Sequence, residues 1–289
     1  MAVAVVTAFG AAFLLGLGFV IQQRNASEVD EDLVLSPRIL LRLVRNPRWL
    51  TGIGCMVGGQ ILGAIALGLG GLGLAEPIMG SNLLFALFIV ATFYRQRLRW
   101  REWLGALLLV GGLSGFIIAG APTQGTTRHV PPLSWVAMGV AVASTAAILI
   151  YLAKRHSWAE EAAYLAGGAG VLYGLQDALT KRAFSLSGHD PLALVTSWPA
   201  YLLVAVAIVG MVLAQSAFRS GPLTSSLAPV TAAEPITGIA IGAGMYSEHL
   251  RMGPAPLMGE IASLVVMVVG IWTVARSPLV CTPSEAPTH

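Results

Sequence analysis

Residues 10–24 read GAAFLLGLGFVIQQR, and residues 168–182 read GAGVLYGLQDALTKR. The two stretches align without a gap, and a second block, residues 77–99, aligns on residues 229–251. Weak internal symmetry of this kind is typical of secondary transporters, which bind substrate near the bilayer midplane between two halves. The identical pairs include Gly10/Gly168, Leu14/Leu172, Gly16/Gly174, Arg24/Arg182, Pro77/Pro229, Tyr94/Tyr246 and Arg99/Arg251.

The composition indicates whether this chain lies in water or in a lipid bilayer. Of its 289 residues, 56% are hydrophobic and 11% are charged, and the mean hydropathy is +0.76. Soluble domains carry about 25% charged residues, so the chain is predicted to be a membrane protein whose main partner is the lipid bilayer. The net charge of +3 is small, and no nucleic-acid partner is expected. Two cysteines provide no disulfide framework.

The apolar runs predict an all-α, polytopic membrane protein. A helix needs about 20 apolar residues to cross the hydrocarbon core. Residues 36–48 carry three arginines on one helical face, so we expect them to lie along the membrane interface. About nine transmembrane helices are predicted, arranged as two inverted repeats, at residues 1–21, 49–69, 74–94, 102–120, 133–153, 162–180, 192–214, 225–246 and 255–275.

These spans divide the chain into four parts. Residues 1–120 form the first repeat, including the interfacial helix at 36–48, and residues 160–276 form the second. Residues 121–159 form a linker with the span 133–153, and residues 277–289 are a tail predicted to be disordered. Each repeat then has four spans, and the odd linker span inverts the second repeat.

The distribution of basic residues predicts the orientation. The face reached after the first span holds thirteen of them, and the opposite face holds Arg128, Lys181, Arg182 and Arg251. Positive charge concentrates on the cytoplasmic side, so the N-terminus should lie outside and the C-terminus inside, in a bacterial plasma membrane. The thirteen are Arg24, Arg38, Arg42, Arg45, Arg48, Arg95, Arg97, Arg99, Arg101, Lys154, Arg155, Arg219 and Arg276.

Glu234 is the strongest candidate for a substrate or ion site. It lies about 14 Å along the eighth span at 1.5 Å per residue. Pro229 and Pro235 flank it and are expected to break the helix and free backbone carbonyls. Thr231 and Thr237 share its helical face. A carboxylate in such surroundings suits a cation or an exchangeable proton, although a protonated glutamate used only for packing is the alternative.

Other polar residues within spans complete the candidate site. Asn82 corresponds to Glu234 in the repeat, and Tyr173 lies one turn before Asp177 in the sixth span, near its predicted outer end. Gln60 and Gln215 are predicted to be buried amides. Glu260 lies in the ninth span. If a divalent cation binds, its ligands should be Glu234, Asp177 and Glu260.

Enzymatic chemistry is not indicated. The sequence has no metal-ligand spacing, nucleophile elbow or histidine cluster, so we expect neither an enzyme nor a cofactor. Residues 68–73 match the dinucleotide-binding pattern G-x-G-x-x-G. No soluble strand precedes them, so a membrane hairpin turn is the better interpretation.

Over residues 5–275 the chain resembles the drug/metabolite transporter superfamily, whose repeat is EamA-like. The matching features are proline-led helices at Pro77 and Pro229 and helix ends at 96–98 and 248–250. The nine-span layout and residues 16–21, GLGFVI, are similar to the NIPA-like magnesium transporters in this superfamily. That subgroup commonly has Gly-Glu followed by Asn in the second helix. Here Gly59-Gln60 and Gly63 occupy those positions, so both polar groups that Mg²⁺ would prefer are lost.

Three hypotheses follow. The leading one is a secondary transporter that moves a small polar or cationic solute by alternating access, with proton coupling. The second is a divalent-cation pathway of the NIPA-like type, and the third is a membrane scaffold or accessory subunit without transport. A homodimer stays open as an alternative to a monomer. A central cavity lined by Glu234, Asn82 and Gln60 would distinguish transport from scaffolding.

Overall fold

The computed structural model describes residues 2–70, 78–93, 98–120, 130–156, 158–187, 196–245 and 253–275. Throughout these residues the regular structure is helical. Helices satisfy their backbone hydrogen bonds internally, which lipid requires. The α-helices are α1 (Ala2–Ser27), α2 (Arg38–Val44), α3 (Pro47–Gly70), α4 (Asn82–Phe93), α5 (Trp100–Gly120), α6 (Pro132–Ala153), α7 (Ala159–Ser187), α8 (Trp198–Ser220), α9 (Leu223–Met245) and α10 (Pro254–Ala275), and a 3₁₀ turn spans Glu31–Leu33.

Among the described helices, six are long and apolar enough to cross a membrane: α1, α3, α5, α6, α8 and α10. The helical, membrane-embedded architecture expected from the sequence is therefore present. The count of nine spans stays a prediction. Residues 71–77, 94–97 and 276–289 lie outside the described part, and with them part of the third predicted span, Pro77, the helix end at 96–98 and the tail.

α7 and α9 are long helices of more polar composition in the interior of the protein. α7 contacts α6, α8 and α9, and residues 223–232 of α9 are all buried. A helix surrounded by protein can carry polar side chains that lipid would reject. α7 continues to Ser187, so Lys181 and Arg182 lie within a helix, and Asp177 is not near its end. The predicted sixth span, 162–180, therefore ends before the helix does.

α9 is continuous across Pro229 and Pro235. The expectation of a broken helix is therefore wrong, because neighbouring turns hold the backbone helical around each proline. Each proline still lacks the N–H that would bond to the carbonyl four residues earlier. The carbonyls of Ser225 and Thr231 are thereby released from the helical ladder.

α2 is the segment expected at the membrane interface. Its seven residues span about 10 Å, too short to cross a bilayer. Ile39 and Leu43 are its buried side chains and join a cluster with Trp49 and Phe218. Leu41 and Val44 of the same helix are exposed.

The packing of the two halves follows one pattern. In the first half α1 contacts α3 and α4, and in the second half α7 contacts α8 and α9. α5 and α10 pack against each other across the halves. One apolar cluster runs through α6, α7, α8 and α9, and a second combines α4 and α5 with residues of α9 and α10. α9 therefore joins both clusters.

The contact between α5 and α10 is reciprocal. A Cβ on Gly112 would lie 2.7 Å from the backbone oxygen of Ser263 and from the backbone nitrogen of Met267. A Cβ on Gly270 would lie 2.8 Å from the backbone oxygen of Gly105 and 2.6 Å from the nitrogen of Leu109. Glycine is required at both positions because no side chain fits between the two backbones.

Candidate functional site

The candidate site begins with Glu234 on α9. This half-buried side chain lies close enough to Tyr173 of α7 for the two to interact electrostatically. Thr231 is buried, and its hydroxyl donates to the Leu227 carbonyl of its own helix at 3.0 Å. Thr237 is half-buried on the same helix. The structure therefore brings Glu234 and Tyr173 together, while the Thr231 hydroxyl already donates its hydrogen bond within α9.

Glycine allows α7 to approach α9 at this point. A Cβ on Gly174 would lie 2.7 Å from the Glu234 carbonyl oxygen and 2.6 Å from Cβ of Thr237. The first half contains a matching approach, because a Cβ on Gly16 of α1 would lie 2.6 Å from the Asn82 carbonyl oxygen of α4. Asn82 and Glu234 are thus held against a neighbouring helix in the same way.

Asn82 carries an unsatisfied polar atom. Its Oδ1 is buried and accepts no hydrogen bond from the residues that the structure describes. A buried acceptor without a partner costs about 1–3 kcal/mol, which a ligand or water would recover. This makes Asn82 a stronger candidate ligand than its sequence position alone suggested.

Gln60, Asp177 and Glu260, the remaining predicted site residues, lie on three different helices. Gln60 is exposed on α3, on a stripe with Val57 and Ile61, so the prediction of a buried amide is wrong. The apolar run around it gave no sign of which face α1 would cover. Asp177 is exposed on α7, and Glu260 is only 8% exposed on α10. Within the described part of the chain, no three His, Cys, Asp or Glu side chains converge on a metal site.

Glu102 is a buried carboxylate that sequence reasoning missed. It is 1% exposed in the first turn of α5, where it accepts a hydrogen bond from the Arg99 backbone N–H. Glu102 and Glu260 have the 158-residue spacing that relates Gly10 to Gly168. Aligning the fourth and ninth spans would have paired these two acids.

A cluster of amide side chains joins the two halves at one end of the molecule. Gln215 Nε2 of α8 donates to Gln22 Oε1 of α1 at 2.5 Å. Trp49 Nε1 of α3 donates to Gln215 Oε1 at 3.2 Å. All three side chains are buried. We call Gln22, Trp49 and Gln215 the amide cluster. Gln215 was expected to be buried, whereas Gln22 was missed.

Further polar contacts surround the amide cluster. Arg219, in the last turn of α8, donates to the Val29 carbonyl and contacts Glu31 at 3.2 Å. The backbone N–H of Leu35 donates to Ser216 Oγ at 2.9 Å. The sequence predicts that the seventh span ends at residue 214, whereas α8 extends to Ser220 and includes Arg219. The segment between α1 and α2 is thus tied to the end of α8.

Comparison with known proteins gives one full-length similarity. The chain is 29% identical over 280 residues to an uncharacterized protein of Corynebacterium glutamicum, covering 95% of each chain. No known protein-family profile matches the chain. No solved structure matches it either.

Proposed function

We propose that this protein is a secondary transporter of the drug/metabolite type, which moves a small polar or cationic solute across the plasma membrane by alternating access. One observation carries the proposal: Gly16 packs on Asn82 and Gly174 packs on Glu234 at corresponding places in the two halves. Polar side chains related by a pseudo-twofold axis between interior helices are the arrangement that inverted-repeat transporters use to bind solute.

The α5–α10 contact supports the pseudo-twofold axis. In a twofold interface, if residue i contacts residue j, the counterpart of i contacts the counterpart of j. Gly112 and Gly270 are separated by 158 residues, as are their contact residues Gly105 and Ser263. The two glycines therefore make equivalent contacts across one antiparallel helix pair, as an inverted repeat requires.

The amide cluster supports alternating access because it closes one end only. Gly59 packs on Leu15 and Gly210 packs on Tyr173, which aligns α3 with α8. In that alignment Thr180 corresponds to Gln22 and Ala64 to Gln215. Thr180 donates to a carbonyl of its own helix, and alanine has no polar side chain, so this pair forms no matching bridge.

If the N-terminus lies outside, the amide cluster lies at the cytoplasmic end, and we interpret the structure as a state closed to the cytoplasm. Breaking the amide cluster while the opposite ends of α3 and α7 come together would open the candidate site to the cytoplasm. Glu234 would release its proton as solute binds and recover it when solute leaves. A carboxylate suits this exchange because it can bind either a proton or a cationic solute.

The divalent-cation pathway has less support. Glu234, Asp177 and Glu260 lie on three different helices and form no metal-binding group. Gln60, in place of the acid that the magnesium subgroup carries, is exposed. Mg²⁺ prefers several oxygen ligands in near-ideal octahedral geometry, which these residues do not supply.

Proton flux into vesicles tests the proposal without knowing the solute. The protein is reconstituted with a pH-sensitive dye inside, and amino acids, quaternary ammonium ions and Mg²⁺ are added in turn. We expect one solute to drive proton movement in the native protein, Glu234→Gln to abolish it, and Asp177→Asn to retain it. Normal flux in Glu234→Gln would make that carboxylate structural, and Mg²⁺ uptake without proton movement would favour the second hypothesis.

A further inference from the structure

A polar cavity of about 370 Å³ lies away from Glu234, at the face where α1 ends and α3 begins. Its walls include Asn25 in the last turn of α1, Glu28 just after α1, Arg42 of α2, and Arg45 and Asn46 of the turn into α3. Small-molecule sites occupy roughly 300–1,000 Å³, so the volume suffices for a ligand.

Hydrogen bonds hold the asparagine side chains that line this cavity. Asn46 Nδ2 donates to Asn25 Oδ1 at 2.8 Å, and Asn25 Nδ2 donates to the Ile21 carbonyl at 2.7 Å. The Arg48 backbone N–H donates to Asn46 Oδ1 at 3.0 Å. The turn between α2 and α3 is therefore held against α1, and the cavity does not need a ligand to form. A preformed site avoids the entropic cost of ordering its residues on binding.

The charges of the cavity favour an anion. Arg42 and Arg45 are exposed and form no ion pair with any residue that the structure describes. Glu28 lines the same cavity but lies beyond ion-pair distance of the Arg42 and Arg45 guanidinium groups. The cavity walls therefore carry two positive charges and one negative charge. A guanidinium presents its N–H groups in a planar fork that matches two phosphate oxygens.

The position of the cavity favours a lipid as the source of that phosphate. α1 and α3 are both long enough to cross the membrane, so the end of one and the start of the next lie at its surface. Leu41 and Val44 of α2 are 67% and 52% exposed beside the cavity residues. A helix with basic and exposed apolar side chains lies in the headgroup region, and basic pockets there bind anionic lipids.

We propose that this cavity binds the phosphate group of an anionic phospholipid, held by Arg42 and Arg45, with acyl chains along Leu41 and Val44. The bound lipid would fasten α2 to the ends of α1 and α3. This role is separate from solute transport, and the headgroup site would be occupied whether or not Glu234 moves protons.

Melting temperature in a nonionic detergent tests the proposal. The probes are dioctanoyl phosphatidylglycerol, dioctanoyl phosphatidylcholine and inorganic phosphate. We expect phosphatidylglycerol to raise the melting temperature at lower concentration than the other two. Arg42→Gln/Arg45→Gln should weaken this response at least about tenfold, because two charge-assisted hydrogen bonds are lost. The control Arg101→Gln/Arg155→Gln removes the same charge elsewhere and should respond like the native protein.

Glu28→Gln gives a test that misfolding cannot imitate, since removing the opposing charge should tighten phosphatidylglycerol binding several-fold. A response to inorganic phosphate as strong as that to phosphatidylglycerol would overturn the lipid as the source. Equal responses to phosphatidylcholine and phosphatidylglycerol would overturn the proposal itself. It would also fail if both double variants lost the response equally, or if Glu28→Gln did not bind more tightly.

Discussion

Gln215 and Gln22 form a hydrogen bond of 2.5 Å between α8 and α1, at a point where both side chains are buried. The residues are 193 positions apart and belong to different halves of the chain. Because Gln215 also accepts from Trp49, three helices meet at this amide.

Removing one member of this pair should destabilise the fold. Gln22→Leu leaves the Gln215 amide buried without its acceptor, which should cost about 1–3 kcal/mol of unfolding free energy. Gln22→Leu/Gln215→Leu removes donor and acceptor together and should cost less than the sum of the single changes. Unfolding of the purified protein in mixed micelles measures both. Additive losses of unfolding free energy would mean that the two amides are not coupled. The control is Gln60→Leu, which changes an exposed glutamine.

The glycines beside Asn82 and Glu234 should not tolerate alanine. Gly16→Ala and Gly174→Ala each place a methyl group within 2.7 Å of a backbone oxygen, so the helices must separate. We expect each change to lower the unfolding free energy by about 1–3 kcal/mol and to reduce transport. Gly54→Ala and Gly238→Ala add the same methyl group where nothing lies within 4 Å. If all four variants melt alike, the close approach of α1 to α4 and α7 to α9 is not required.

Orientation can be tested by labelling single cysteines in a background without Cys55 and Cys281. On the strength of the basic asymmetry, cysteines in residues 121–132 should react with an impermeant reagent from outside, and cysteines in 95–101 should not. Labelling only after the cells are opened would be the expected result for the second group. The reverse pattern would place the amide cluster outside and invert the proposed state.

The helical membrane fold could be predicted from the sequence because it depends on local composition. Glu234 and Asn82 became candidates because a polar residue within an apolar run is costly in lipid. The repeat also predicted that these two residues correspond. The glycines at 16 and 174 that hold these positions were identical in the repeat, so their importance could be read from it.

Residues whose roles depend on helix packing could not be placed in the same way. Gln60 and Gln22 are both glutamines in apolar runs, yet one is exposed and the other joins the halves. The difference depends on which face of each helix a neighbour covers, and apolar composition on all sides does not specify that face. The continuity of α9 through two prolines has the same origin, since packing on both sides outweighs the two missing hydrogen bonds.

We propose that the chain transports solute by opening and closing the end held by the amide cluster. Gln22→Cys/Gln215→Cys, in a background with Cys55→Ser and Cys281→Ser, allows α1 and α8 to be joined by a short, reducible thiol crosslinker. Solute-driven proton flux into vesicles should stop on crosslinking and return on reduction, while either single cysteine treated alike should remain active. Undiminished flux with the crosslink complete would contradict the account, because the two halves would then not need to separate at this end.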